Sequence, residues 1–248
     1  MDPSVTLLLA VFIDAILGDP RVFFHPVRII GFYISFLERI SRTFFSRFLF
    51  FAGAFTCLSA VCSTYLFVYA SVSFAGHFGD IFADIVKIIW LWLGISAGDL
   101  DKSVRKVISF LRDSDIVSAR KALSQIVGRD TESLDATEIS RAAIETTAES
   151  YVDGIVSPLF FFLIGGAPLL WSFKALSTCD SMIGHRDEKY IVFGRVSARL
   201  DDFANFAPSR LAFFFIFLGC VLLRIRLSYF HPFHCLKAFL SDRLRHAS

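Results

Sequence analysis

Charge is scarce in this chain. Lys, Arg, Asp and Glu make up 19% of the 248 residues, and none occurs from Phe48 to Phe74. That stretch exceeds the roughly 20 apolar residues that cross a bilayer. Five cysteines (Cys57, Cys62, Cys179, Cys220 and Cys235) form no Cys-x-x-Cys pair, which argues against a zinc site and leaves them as small packing residues. Neither a Walker phosphate loop nor a dinucleotide Gly-x-Gly-x-x-Gly pattern occurs. Basic and acidic residues alternate and no basic block stands out, so no nucleic-acid partner is expected. The first apolar run, Val5 to Leu17, lacks a basic leader and a small-residue cleavage site, and reads as a retained membrane segment.

What the chain does have is apolar surface. A hydrophobic fraction of 55% with 30 Phe and a mean hydropathy of +0.60 predict an integral membrane protein. The fold class expected is all-α and polytopic, with about four to five membrane segments near 5–17, 48–74, 85–98, 155–173 and 211–223. A helical region over 99–154 and a polar region over 174–210 complete it. Lys and Arg number five between residues 18 and 47, none between 75 and 84, and eight between 98 and 154. By the positive-inside rule this sets a multi-pass protein in the inner (cytoplasmic) membrane with its main loops in the cytoplasm. The segment 155–173 is interrupted by Gly165-Gly166-Ala167-Pro168. It either spans or dips in and returns; the re-entrant path is preferred because residues 174–210 carry six Lys and Arg and fit the same side.

The charged residues cluster. Asp135 with Glu138 is a capping-box pair, predicting a helix that runs towards Asp153. Along it Arg141, Glu145 and Glu149 share one face. Such a face is commonly a solvated one, worth about 0.3 to 0.5 kcal/mol per pair; its closeness to the apolar run after Asp153 favours a site. Gly128 reads as a helix C′ residue before Arg129-Asp130-Thr131, a turn that either holds phosphate or caps a helix. Asp14, inside the first segment, is either a functional charge or one that reaches the interface. Asp19-Pro20 and His25-Pro26 form a loop in which His25 is either structural or part of a site. Residues 29–46, with Arg39 and Arg42, read as an amphipathic helix suited to anionic lipid. In the polar region Asp180, Arg199, Asp201, Asp202, Asn205 and Arg210 suit a magnesium-phosphate site, although Asp201-Asp202 would equally serve as a helix N-cap.

Several motifs in order resemble one family. They are Asp14-x3-Gly18-Asp19-Pro20 with His25-Pro26-Val27, Ile126-Val127-Gly128-Arg129-Asp130-Thr131, Arg141-Ala142-Ala143-Ile144-Glu145 with Ala148-Glu149, and Val152-Asp153-Gly154 through Pro158-Leu159-Phe160. Gly165-Gly166-Ala167-Pro168, Lys174-Ala175, Asp180-Ser181-Met182-Ile183-Gly184 and Ala198-Arg199-Leu200-Asp201-Asp202-x2-Asn205 with Pro208 and Arg210 follow. Together they resemble the membrane-bound adenosylcobinamide-phosphate synthase family, cobalamin biosynthesis protein CobD/CbiB.

The resemblance implies a ligase. It would join a carboxylate of adenosylcobyric acid to 1-aminopropan-2-ol or its O-phosphate as an amide, using ATP and Mg2+, with an acyl phosphate as the activated form. On that reading Asp153, Asp180, Asp201 and Asp202 are metal ligands, and Glu145 or Glu149 is the base. Lys174 is catalytic as a clamp, and Asp19, His25, Arg129, Asp130, Arg141, Arg199, Asn205 and Arg210 bind substrate. The bilayer is a partner, and other late cobalamin-synthesis enzymes at the membrane are candidate ones. Two departures stand out. Ser150 occupies a position where the family pattern reads Asn, and Arg245-His246-Ala247-Ser248 resembles the start of a motif that continues further, so the chain is expected to be cut there. A small-molecule transporter and an inactive or regulatory membrane protein of a related branch are the competing readings.

Overall fold

The computed structural model describes residues 2–18, 25–128 and 130–226. Its elements are α1 (Pro3–Leu17), α2 (Pro26–Phe44), α3 (Leu49–Gly76), α4 (Asp80–Gly94), α5 (Ala97–Arg112), α6 (Ile116–Leu123) and α7 (Ala136–Tyr151). A π-helical turn (Val152–Val156), α8 (Ser157–Ile183), α9 (Arg195–Ala204) and α10 (Phe206–Arg226) follow. There is no strand among the described residues. Three helical runs, Leu49–Gly76, Asp80–Arg112 and Ala136–Ile183, are long and apolar enough to cross a membrane. The α9–α10 pair, bent by 46°, adds a fourth if taken as one span, and α1 is a shorter apolar helix. The polytopic all-α expectation is met. Arg224 to Arg226 close α10; the tail beyond it, including Arg245 to Ser248, lies outside the described residues.

The organising element is α8. Gly165 (φ −143°, ψ 21°) and Gly166 (φ 67°, ψ −164°) leave the helical region, and the chain reverses there. Phe161 and Phe173 stack with ring centroids 5.0 Å apart, whereas a straight helix would separate residues twelve apart by about 18 Å. The arms on either side of the break therefore lie against each other, as the re-entrant path expects.

The second arm is the centre of the core. Leu170, Trp171, Ala175, Cys179 and Ile183 are buried. They pack with the small face of α3, where Ala52, Cys57 and Ala60 are fully buried. The Trp171 indole N–H donates to the Trp90 carbonyl at 2.9 Å, and the Trp90 indole donates to Ser71 Oγ at 2.8 Å. The buried Trp171 indole and the partly buried Trp90 indole are thus both satisfied. The opposite face of α3 exposes Phe51, Leu58, Leu66 and Phe67, an apolar belt suited to lipid. A second, smaller core of Val107, Ala119, Leu123, Ile139 and Ala142 joins α5, α6 and α7.

Some boundaries differ from the sequence reading. The helix expected near 85–98 begins at Asp80 and stops at Gly94. Asp84, expected in a connecting loop, is a buried helical residue 2.9 Å from Lys87 Nζ; the pair one turn apart contributes to holding the acid there. The helix capped by Asp115 ends at Leu123, not Gly128, and Gly128 is not among the positive-φ glycines, so it is no left-handed cap. Asp201 and Asp202 lie near the C-terminal end of α9 and do not cap its start.

Gly166 combines positive φ with extended ψ, a region essentially restricted to glycine. A Cβ there would meet nothing closer than Pro168 Cδ at 3.7 Å, so Gly166→Ala tests backbone strain alone. The variant is expected to be less stable by about 1 to 3 kcal/mol. Thermal unfolding in detergent measures this, and an unchanged midpoint would contradict the reversal.

Candidate functional site

The Asp135–Glu138 capping box is formed. Glu138 N–H donates to Asp135 Oδ1 at 2.8 Å, and Asp135 N–H to Glu138 Oε2 at 2.9 Å. The helix it starts, α7, ends by widening into the π-helical turn Val152–Val156. Such turns occur often at functional sites. Gly154 lets this turn approach the α4–α5 corner closely: a Cβ would lie 2.5 Å from Ser96 Oγ, and Ser96 N–H donates to the Gly154 carbonyl at 3.1 Å. The widened turn carries Asp153, which faces the end of α9.

Asn205, the C-cap of α9, binds the acids together. Its Nδ2 donates to Asp153 Oδ1 and to Asp201 Oδ2, each at 3.0 Å. Its Oδ1 accepts from Ser157 Oγ at 2.7 Å, with Ser157 fully buried. Asp201 Oδ1 is buried with no hydrogen-bond partner. Asp153, Asp201 and Asn205 lie outside the apolar stretches 155–173 and 206–222.

Electrostatics reflect the crowding. Burial pushes the Asp201 carboxyl up to about 7, helped by Asp153, Asp180 and Asp202 and opposed by the Asn205 hydrogen bond. Burial also raises Asp153; Lys174 and Asn205 act against this, while Asp180 and Glu149 add to it. Burial raises Asp180, with Asp202 adding to it and His185 opposing. Asp153 and Asp180 are 27 positions apart, and only the reversal in α8 brings their charges within reach of each other.

A divalent cation suits this chemistry. Asp153, Asp180, Asp201 and Asp202 offer hard oxygen donors, and a cation would relieve their mutual repulsion and occupy the orphaned Asp201 oxygen. Among the described residues no three His, Cys, Asp or Glu side chains are drawn close enough to form a ready cage; the Asn205 amide sits between Asp153 and Asp201 instead. Magnesium commonly takes only one or two carboxylates and completes its shell with water and phosphate, so the Asp153–Asp201 pair meets that requirement.

The remaining expected residues divide. Lys174 and Glu149 act electrostatically on Asp153 and belong to the cluster. Glu145 stands two turns from Asp153, about 12 Å along the helix, in an exposed pair with Arg141 at 2.9 Å. Asp130 bends its own loop, accepting from Glu132 N–H at 2.9 Å. His25 caps α2, its Nδ1 accepting from Val27 N–H at 3.4 Å. Arg210 lies over the Phe206 ring, 3.4 Å from its centroid, and donates to the Phe206 carbonyl. Arg199 and Asp202 are exposed on α9. Asp19 and Arg129 lie outside the described residues. Asp14 accepts from Gly98 N–H at 2.9 Å, capping the first turn of α5 from another helix, which gives this acid a structural task. Ser157 and Ser96 were missed by the sequence reading; the former lay inside the Val152 to Phe160 motif without being singled out.

The raised acids make a sign prediction. An acid whose folded value exceeds its unfolded one binds more protons in the folded state, so stability falls as pH rises from about 4, the unfolded value, to about 7 and then levels. In chelator, the purified chain is expected to melt higher at pH 5 than at pH 8, and Asp201→Asn to flatten that slope. Parallel slopes in the two proteins would contradict the assignment.

The chain matches the family model described as CobD/Cbib protein over residues 7–248. It is 41% identical to the cobalamin biosynthesis protein CobD of Clostridium perfringens over 98% of this chain and 76% of that protein. It is 39% identical to the CobD of Citrobacter koseri over 97% of this chain and 74% of the relative. The CbiB of Salmonella choleraesuis is 36% identical, with the same coverage. No solved structure matches. A family model spanning almost every residue, with relatives at this identity, places the chain in the CobD/CbiB family.

Proposed function

We propose that this protein acts in cobalamin biosynthesis as an ATP- and magnesium-dependent ligase. It would join a carboxylate of adenosylcobyric acid to the amine of 1-aminopropan-2-ol, or of its O-phosphate, as an amide. The names of its relatives support the pathway. The observation that carries the reaction is the convergence of Asp153, Asp180, Asp201, Asn205 and Lys174 at the polar ends of α8 and α9. By the Lys and Arg distribution of the sequence this face would lie towards the cytoplasm.

A carboxylate at neutral pH is a poor acyl donor, and bound magnesium ATP would supply the activation. The chain's own groups do the rest. Asp153 and Asp201 would hold the cation, with Asp180 and Asp202 adding negative charge around it. Lys174 would offset that charge and hold the substrate carboxylate. Asn205, tied to Ser157, positions the two acids. Glu149, exposed one turn before Asp153, would take the amine proton as the carbon–nitrogen bond forms. Carboxylate, amine and ATP then give amide, ADP and phosphate. Glu145, held outward with Arg141, is the weaker base on this geometry.

Complementation of a strain lacking the aminopropanol-attachment step tests the reading. The chain is expected to restore corrinoid amide formation, and an otherwise folded chain that yields no product would overturn it. In purified protein, Glu149→Ala is expected to lower kcat about 100-fold or more; turnover at the parent rate would remove Glu149 as the base.

A further inference from the structure

Beside the carboxylates, a cavity of about 590 Å³ opens between the 184–194 loop and α9. Its lining includes His185, Arg186, Tyr190, Arg195, Arg199 and Asp202. Three guanidinium groups therefore share one pocket with a single acid from α9. Among the described residues, none of the three is in a salt bridge or donates a side-chain hydrogen bond. The nearby Asp187 is already engaged, accepting from Tyr190 N–H at 2.9 Å to turn the loop.

The loop is fastened from behind. Arg42 of α2 donates to the Lys189 carbonyl at 3.2 Å and lies 4.1 Å from the Phe193 ring centroid. Tyr190 Oη donates to Glu38 Oε2 at 3.4 Å, and Phe193 is fully buried. His185 lies within electrostatic reach of Asp180, so the pocket adjoins the carboxylate cluster. A braced loop that sets Arg186 beside Arg195 and Arg199 of α9, next to a cation-seeking carboxylate cluster, has the chemistry of an oxyanion site: planar forks for phosphate oxygens on one side, acids for a metal on the other.

We propose that Arg186, Arg195 and Arg199 bind phosphate oxygens of a substrate whose other end lies at the Asp153–Asp201 pair. The inference rests on the ligase reading for the identity of that substrate. Two sources share the chemistry, the polyphosphate of ATP and the monoester of a phosphorylated amine. His185, Arg186 and Arg195 lie outside every motif that carried the family resemblance, and the geometry assigns the last two here.

Isothermal titration of the full chain in lipid nanodiscs decides it, with magnesium ATP, aminopropanol O-phosphate and inorganic phosphate as probes. The double variant Arg186→Ala/Arg195→Ala is expected to weaken binding about tenfold or more, as loss of charge-assisted hydrogen bonds does. Arg195→Lys/Arg199→Lys, which keeps the charge and loses the fork, is expected to fall between. Loss confined to ATP assigns the pocket to the nucleotide, and loss confined to aminopropanol phosphate assigns it to the amine; either result supports the site. Unchanged binding of every probe in the charge-conserving variant, with its helical circular dichroism intact, overturns it. So does a parent chain that binds none of the three. Complementation by the same parent chain judges amide formation separately, so a failed pocket and a failed ligase reading are distinguishable.

Discussion

A helix inside apolar surroundings must satisfy its backbone within itself, and α8 does so on both sides of a two-residue break. Gly165 and Gly166 are the break. Without the reversal they allow, Asp153 and Asp180 would stand at opposite ends of a long rod. With it, both acids reach the same polar end, where α9 delivers Asp201 and Asn205. The cost is electrostatic: burial and mutual repulsion raise all three carboxyls. Lys174 and the Asn205 amide offset part of this, and a cation would offset more.

Strain of this kind persists only if the scaffold around it is stiff. Here the stiffness comes from the second arm of α8 packed on the small-residue face of α3, with Trp171 and Trp90 locked by their indole hydrogen bonds. Asp14, the acid inside the first apolar segment, ties α1 to the first turn of α5 and so holds two helices together. The α5–α7 core hangs the Asp135 helix beside this assembly and feeds it into the π-helical turn.

Much of this was legible in the sequence. Long uncharged runs fixed the helical membrane class, the Asp135–Glu138 spacing fixed the start of α7, and Gly165-Gly166 marked the break. The family motifs pointed at Asp153, Asp201 and Asn205. What the sequence could not convey is which charged groups meet. Arg141, Glu145 and Glu149 share a helix face by spacing, yet only Glu149 stands near the acids, because spacing along one helix says nothing of what packs opposite. The role of Ser157 was hidden for the same reason: its partner Asn205 comes from an element far along the chain. The π-helical widening at Asp153 has no propensity signature at all.

On the ligase reading, Asp153 and Asp201 form one cation-dependent site. The most direct measurement is electron paramagnetic resonance of manganous ion titrated into the purified full chain, reading free against bound metal. Saturable binding at one site per chain is expected, weakening about tenfold or more in Asp153→Asn and in Asp201→Asn, as loss of a charged ligand should cause. No bound manganese in the parent chain, or the same affinity in both variants, would contradict it.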